Sequence, residues 1–176
     1  TDHRKRPHLA LLPGNKRTGT AQVVLTTDPS YQISMLADAL RSAARAYAFV
    51  VIDTSPSVGT LQEMALYAAD EVIVPCATDF LAIEGVAGIL ATIQAVQRKG
   101  GAAAVLGILP TFFDSTKESR ANLATLQERF SELVLAPVHR ATVLREATAL
   151  GQTIWECDPQ SRAAEEYAQL IWRVLA

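Results

Sequence analysis

The residues with the clearest chemical potential stand where apolar runs end. Phe49-Val-Val-Ile52 is followed by Asp53-Thr-Ser-Pro-Ser-Val-Gly59. A hydrophobic strand that ends in a carboxylate is the Walker B arrangement. The buried strand aims Asp53 at a nucleotide cleft, where it can hold a Mg²⁺-bound water. Asp also ends strands as a plain turn residue, so these few residues say little alone. Pro56 and Gly59 strengthen the functional reading, because they shape a loop able to sense a γ-phosphate. A second segment, Pro13-Gly-Asn-Lys-Arg-Thr-Gly-Thr20, has Gly14 and Gly19 at the spacing of a phosphate-binding loop. Thr20 and Ala21 stand where Lys and Ser/Thr are required, so nothing there reaches the phosphates or ligates Mg²⁺. We read it as a basic surface turn.

Two further runs end in polar residues. Val72-Ile-Val74 leads into Pro75-Cys-Ala-Thr-Asp79, and Ile108-Leu109 into Pro110-Thr-Phe-Phe-Asp114. Cys76 has no nearby histidine or cation in sequence and reads as a small buried residue rather than a thiolate. Phe112 or Phe113 can flank a nucleobase, although Phe is more often core. Nucleophilic catalysis finds no support: there is no G-x-S-x-G, and His139 has no sequence partner. Glu165-Glu166 and Asp70-Glu71 read as solvated surface. The 2 Cys and 3 His form no metal-ligand spacing.

The elements that must position these residues alternate. Leu9–Leu12, Phe49–Ile52, Val72–Val74 and Ala104–Leu109 are continuous apolar runs, as expected of strands buried on both faces. Between them fall helical stripes: Ile33, Leu36, Leu40 and Ala44; Val86, Ile89, Leu90, Ile93 and Val96; Leu123, Leu126, Phe130 and Leu133. Thr60-x-x-Glu63 and Ser115-x-x-Glu118 read as capping boxes. Asp158-Pro159 reads as a cap with proline at the first helical position, and Lys99-Gly100-Gly101 as a helix end. The pattern predicts an α/β fold, a mostly parallel sheet flanked by helices on both faces. Ligands then bind beyond the carboxyl ends of the strands. At 176 residues, 49% apolar and 19% charged, the chain reads as one globular domain, residues 1–176. A net charge of −2 does not indicate an overall basic nucleic-acid binder. The nearly apolar run 101–109 is too short to span a bilayer, and a cytoplasmic location is the default expectation.

As an ordered set, the motifs resemble ParA-type, deviant Walker partition ATPases. Tyr47 to Gly59, Ala68 to Pro75, and Asp79-Phe-Leu-Ala-Ile-Glu-Gly85 are similar to consecutive blocks of that family. Gly107 to Asp114 is similar to its strand and loop before a basic helix. His139-Arg140, Leu144-Arg-Glu-Ala147, Gly151-Gln-Thr-Ile154, Asp158-Pro-Gln-Ser161 and Ala164 to Tyr167 resemble its carboxyl-terminal blocks, and Leu11 to Thr18 the segment upstream of the Walker B strand. The family's K-G-G-x-x-K-[ST] phosphate loop does not occur in the sequence. The resemblance therefore implies a P-loop NTPase-like, ParA/MinD-type sheet whose central phosphate-loop strand is missing, as in a carboxyl-terminal portion of a longer ATPase. In the family fold that strand lies between the Walker B strand and Val72–Val74. Its loss leaves unpaired backbone groups that cost about 1–3 kcal/mol each if buried.

The resemblance implies a segregation ATPase: a Mg-ATP-driven homodimer that binds nucleoid DNA without sequence preference and answers a ParB-like stimulator. Asp53 would be the catalytic residue, holding the metal through water. Thr54, Ser55, Pro56, Ser57 and Gly59 would form the switch loop, and Pro110, Thr111, Phe112 and Phe113 would line the base. Arg140, Arg145, Lys117 and Arg120 would supply phosphate contacts. Ala48, Ser55, His139 and Val143 depart from the family pattern, the last where an arginine is common. The isolated chain is expected to be inactive. The alternative is a non-catalytic pseudo-ATPase scaffold of the same fold. The stripe Tyr167, Leu170, Ile171 and Val174 lacks the basic face of a membrane helix, so no membrane partner is expected.

Overall fold

In the computed structural model, residues 6, 8–55 and 59–176 are described. The chain divides into two compact units, Thr1–Ala68 and Ala69–Ala176.

The first unit holds α1 (Lys16–Thr27), α2 (Met35–Ala44) and α3 (Thr60–Ala68). Gly14 to Thr20 is not a surface turn. Asn15 caps α1, its side chain accepting from Arg17 N–H at 2.8 Å while its own N–H donates to Thr18 Oγ1 at 3.0 Å. This reciprocal pairing starts a helix at Lys16. Gly19 is thus helical, and Thr20 Oγ1 turns back onto the Lys16 carbonyl. Thr60 is the first residue of α3 rather than its cap.

Two expected strands are absent among the described residues. Leu9–Leu12 and Phe49–Ile52 carry no ladder, and Leu12 and Val51 are 89% and 91% exposed. A β-prone run becomes a strand only when a neighbour supplies N–H and C=O partners. No described segment does so for either run.

The second unit is built on a parallel sheet flanked by helices. β1 (Glu71–Ala77) and β2 (Ala104–Thr111) pair in parallel, joined by α4 (Phe80–Arg98). The register shifts between Val72 and Ile73, then runs to Ala77 opposite Thr111. The α4 stripe Ile83, Val86, Ile93 and Val96 is buried, and α4 packs on β1. α4 is long and apolar enough by composition to cross a membrane, longer than the run 101–109 noted above. Its Ile83, Val86, Ile93 and Val96 stripe is buried, while Phe80 and Leu81 at its start are exposed. Lys99 and Gly100 end it, with Gly100 at φ 98° and Gly101 N–H donating to the Val96 carbonyl.

After α5 (Lys117–Phe130) and a 3₁₀ turn (Ser131–Leu133), residues 134–140 run along the free edge of β2. Leu135 N–H donates to Ile108 O, Val138 N–H to Pro110 O, and Phe113 N–H to Val138 O. Gly107 makes this approach possible: a Cβ there would lie 2.5 Å from Leu135 Cγ. α6 (Thr142–Ala149), α7 (Ile154–Cys157) and α8 (Arg162–Leu175) follow, and Ile154, Ala163 and Ala164 pack with Ala141, Val143 and Leu144.

Two cap assignments move. α5 is capped by Thr116, one residue after Ser115, because the Asp114 carboxylate accepts from Thr116 N–H and Oγ1 and holds Thr116 extended. α8 is capped by Ser161, since Asp158 instead closes α7. Ile171, expected in the buried stripe of α8, is exposed together with Trp172 and Leu175.

Candidate functional site

The carboxyl ends of β1 and β2 are tied together by one hydroxyl. Ser119 is buried; its Oγ lies 2.9 Å from Thr78 Oγ1 and accepts the Asp114 N–H at 3.2 Å. Asn122 Nδ2 donates to the Thr78 carbonyl, and Thr78 N–H donates to Thr111 O. Thus α5 fixes the loops after both strands. Asp79, next in chain, caps α4 by accepting from Ala82 N–H at 2.8 Å. Farther along, Arg129 of α5 pairs with Glu84 of α4.

The loop after β2 is strained. Phe112 has φ 54° and is 57% exposed. An aromatic residue in the left-handed region costs about 1–3 kcal/mol and persists only where its surroundings impose it. The Arg140 guanidinium lies 5.3 Å from the Phe112 ring centroid, a cation–π pair. Arg140 N–H donates to the Phe113 carbonyl at 2.9 Å. The Asp114 carboxyl is held below the ordinary carboxylate range, first by the Thr116 hydroxyl, then by its N–H, with Arg140 adding to the effect. Ala77, Thr78, Asp79, Phe112, Asp114 and Arg140 border an open cleft of about 440 Å³.

A second cleft of about 260 Å³ lies on the other side of Arg140, lined by Phe113, His139, Arg162 and Glu166. Glu166 is the hub: its carboxylate accepts from His139 N–H at 2.8 Å, meets His139 Nδ1 at 2.7 Å, and accepts from Arg162 Nε at 2.7 Å. Partial burial pushes this carboxyl up, but the His139 N–H, Arg162 and the His139 ring together hold it below its ordinary value. Glu166 is therefore not solvated surface, and His139 does have partners. The available signal was the i, i+4 spacing of Arg162 and Glu166 in the first turns of a helix.

The expected site residues fall in both units. Asp53, Thr54 and Ser55 are exposed and lie outside any helix or strand after Ile52 in the first unit. Gly59 precedes α3, and a Cβ there would lie 2.6 Å from the Gln22 amide. Pro56 and Ser57 lie outside the described residues. In the second unit, Pro110 is fully buried in β2 and offers no side-chain surface. Thr111, Phe112 and Phe113 follow it at the strand end. Lys117 and Arg120 are exposed in the first turn of α5, with Arg120 Nη2 donating to Ser115 O. Arg145 is exposed on α6. A triphosphate does not fit Gly14 to Thr20, whose backbone is consumed by the capped start of α1. No group of three or more metal-ligating side chains occurs among the described residues.

The AAA domain family model matches residues 2–105. The chain is 38% identical over 143 residues to the chromosome-partitioning ATPase Soj of Thermus thermophilus, covering 78% of this chain and 57% of that protein. It is 31% identical over 176 residues to the sporulation initiation inhibitor protein Soj of Bacillus subtilis, covering 96% of this chain and 68% of that protein. Its fold is similar to the Cyanothece McdA(D38A)-ATP complex, with TM-score 0.83 at 17% identity over 93% of this chain and 65% of that one. It is also similar to a Mycobacterium smegmatis cobyrinic acid a,c-diamide synthase with bound ADP and magnesium. That TM-score is 0.67 at 32% identity, over 81% of this chain and 64% of that one. The chain thus spans little more than half of the Thermus protein it matches. With the domain model matching more than half of its residues, and the Bacillus protein matched over two thirds of its length, the chain belongs to the ParA-type partition ATPase family.

Proposed function

We propose that this chain serves a ParA-like ATPase in plasmid or chromosome partition. Both compact units then belong to one ATPase domain. Asp53 holds the Mg²⁺ of bound ATP through a water, and Thr54 to Gly59 respond to the γ-phosphate. Thr111, Phe112 and Phe113 flank the base, and Pro110 contributes only its carbonyl, which accepts from Val138 N–H. The ATP-bound homodimer holds nucleoid DNA through Arg140, with Lys117, Arg120 and Arg145 in support, and a ParB-class partner stimulates hydrolysis. The observation that carries the reading is the Arg140–Phe112 pair at the carboxyl end of β2, where open α/β sheets take their ligands.

One observation favours a second reading for the 176 residues alone. Lys16 to Thr20 is the start of helix α1, capped by Asn15, and the sequence contains no K-G-G-x-x-K-[ST] loop. The isolated chain then acts as a non-catalytic module. Calorimetry of these residues with Mg-ATP tests the second reading. No heat of binding is expected from these residues alone; micromolar affinity would return Gly14 to Thr20 to the role of a phosphate site and discard the scaffold reading.

A further inference from the structure

His139 is bonded through three atoms. Its N–H donates to Glu166 Oε2 at 2.8 Å, its Nδ1 meets Glu166 Oε1 at 2.7 Å, and its Nε2 lies 2.8 Å from Arg162 Nη2. A guanidinium carries donors only. Nε2 must therefore accept, and the ring proton is assigned to Nδ1, facing Glu166. This bridge closes only with a neutral ring. A proton on Nε2 sets two donors against each other across 2.8 Å. Of the two partners, the Glu166 side chain is 12% exposed and the Arg162 side chain 66%. Arg162 Nε also donates to Glu166 Oε1 at 2.7 Å, so only its terminal nitrogens are free to leave the ring.

Among the other groups around the ring, the Arg162 and Arg140 guanidiniums oppose its protonation and the Glu166 carboxylate favours it. Phe113, at the end of β2, meets the ring edge-on with centroids 4.8 Å apart. Asp114 and Arg140 line the same cleft. Asp114 is already bonded to Thr116, and Arg140 is already over Phe112. On α8, Glu166 remains to pair with a charged His139.

We propose that His139, Glu166 and Arg162 form a proton-operated clasp on the segment that carries Arg140. With neutral His139, the Arg162 terminal nitrogen is tied to the ring. On protonation, His139 and Glu166 become an ion pair and the Arg162 terminal nitrogens turn away from the ring, within the cleft that Arg140 also lines. The surface around Arg140 gains a ring charge and the freed terminal nitrogens of Arg162, while the backbone bonds of 138–140 to β2 persist. The clasp stands on this geometry; its consequence for DNA rests on the reading of Arg140 as a phosphate contact.

Two measurements fail separately. Long-range ¹⁵N NMR of the 176-residue chain, from about pH 8 to about pH 5, reports the His139 tautomer and the Arg162 side-chain signals. The Nδ1–H tautomer is expected at the upper end. The Arg162 Nη signals should move with the same midpoint as the His139 ring, a movement absent in His139→Gln. An Nε2–H tautomer, or Arg162 signals indifferent to the ring titration, overturns the clasp without any variant having to fold. The second measurement is the affinity of the ATP-bound full-length protein for a random-sequence duplex over the same range. Binding should strengthen as pH falls, by at most about tenfold per unit, the limit for one linked proton. His139→Gln should flatten that slope; an unchanged slope in the variant overturns the linkage. Absence of DNA binding at every pH refutes the DNA reading, and the NMR result still decides the clasp.

Discussion

The Thr78 and Ser119 hydroxyls lie 2.9 Å apart, joining the loop after β1 to the first turn of α5. Ser119 also accepts the Asp114 N–H, so one buried oxygen serves both strand ends. Ser119→Ala leaves that N–H and the Thr78 hydroxyl short of a partner. The expected cost is about 1–3 kcal/mol, a loss of roughly 2–10 °C in melting temperature. Ser119→Thr keeps the oxygen and should lose less. Calorimetry on the three proteins checks this, and equal melting temperatures would mean the tie carries no stability.

Cys76 is 2% exposed, and burial, with the Asp79 charge adding to it, pushes its thiol up to about 11. Roughly one molecule in a thousand then carries the thiolate at pH 8. Cys157 is only partly buried. Iodoacetamide at pH 8 should label Cys157 while sparing Cys76 in the folded protein. In urea both should react. Peptide mass spectrometry measures the two sites, and rapid labelling of Cys76 in native buffer would contradict its burial.

The legible elements were those whose signals are local. The Val72–Val74 and Ala104–Leu109 runs became β1 and β2 because each supplies the other's ladder. The Val86-to-Val96 stripe and the Lys99–Gly101 stop marked α4 and its carboxyl end, while the Asp79 cap at its start was not among the expected caps. Leu9–Leu12 and Phe49–Ile52 look equally strand-like, yet pairing is a property of two segments and one run cannot reveal it. The site followed the same division. Phe112, Asp114 and Arg140 were reachable from strand ends and motif order. His139 and Glu166 are 27 residues apart, and Thr78 and Ser119 are 41 apart. No local spacing announces contacts of that range. Thr116 rather than Ser115 is the cap: Asp114 accepts its N–H and hydroxyl, and Thr116 Oγ1 accepts the Ser119 N–H.

Glu166 carries a pH signature of its own. Its carboxyl in the folded protein lies below the ordinary value of 4.5, so it binds its proton less readily folded than unfolded. The stability it adds is present above that ordinary value and is lost as pH falls through the folded one. Glu166→Gln should therefore lower the urea midpoint at pH 7. The gap to wild type should narrow toward pH 3 as the wild-type carboxylate protonates. A gap that stays constant would assign the loss to packing rather than charge.

Asp53→Asn keeps the size of the side chain and removes its charge. In the full-length ATP-bound protein this should lower the hydrolysis rate by at least about tenfold, the loss expected when a charge that orders a metal-bound water is removed. Asp53 is exposed in this chain, so the fold should tolerate the change. Circular dichroism and a phosphate-release assay on the same samples check both halves. Wild-type turnover with an intact fold would return Asp53 to a turn residue.

Arg140 separates the phosphate reading from a structural one. Its backbone N–H is committed to the Phe113 carbonyl, and its guanidinium rests on the exposed Phe112 face with the Asp114 carboxylate nearby. Arg140→Ala deletes the cation and keeps the backbone bond. If the guanidinium meets DNA phosphates, affinity should fall on every sequence alike. The slope of log K against log salt should then drop by about one unit. Arg140→Lys preserves the charge, so it should recover most of that slope while weakening the fit to the Phe112 ring. Folding should be nearly indifferent, since an exposed cation–π pair is worth about 0.5–1 kcal/mol. A salt titration of all three proteins in the full-length, ATP-bound state gives the answer. If the melting temperature falls while DNA affinity and its salt slope stay at wild type, Arg140 serves the strained loop alone, and the DNA surface must be sought among Lys117, Arg120 and Arg145.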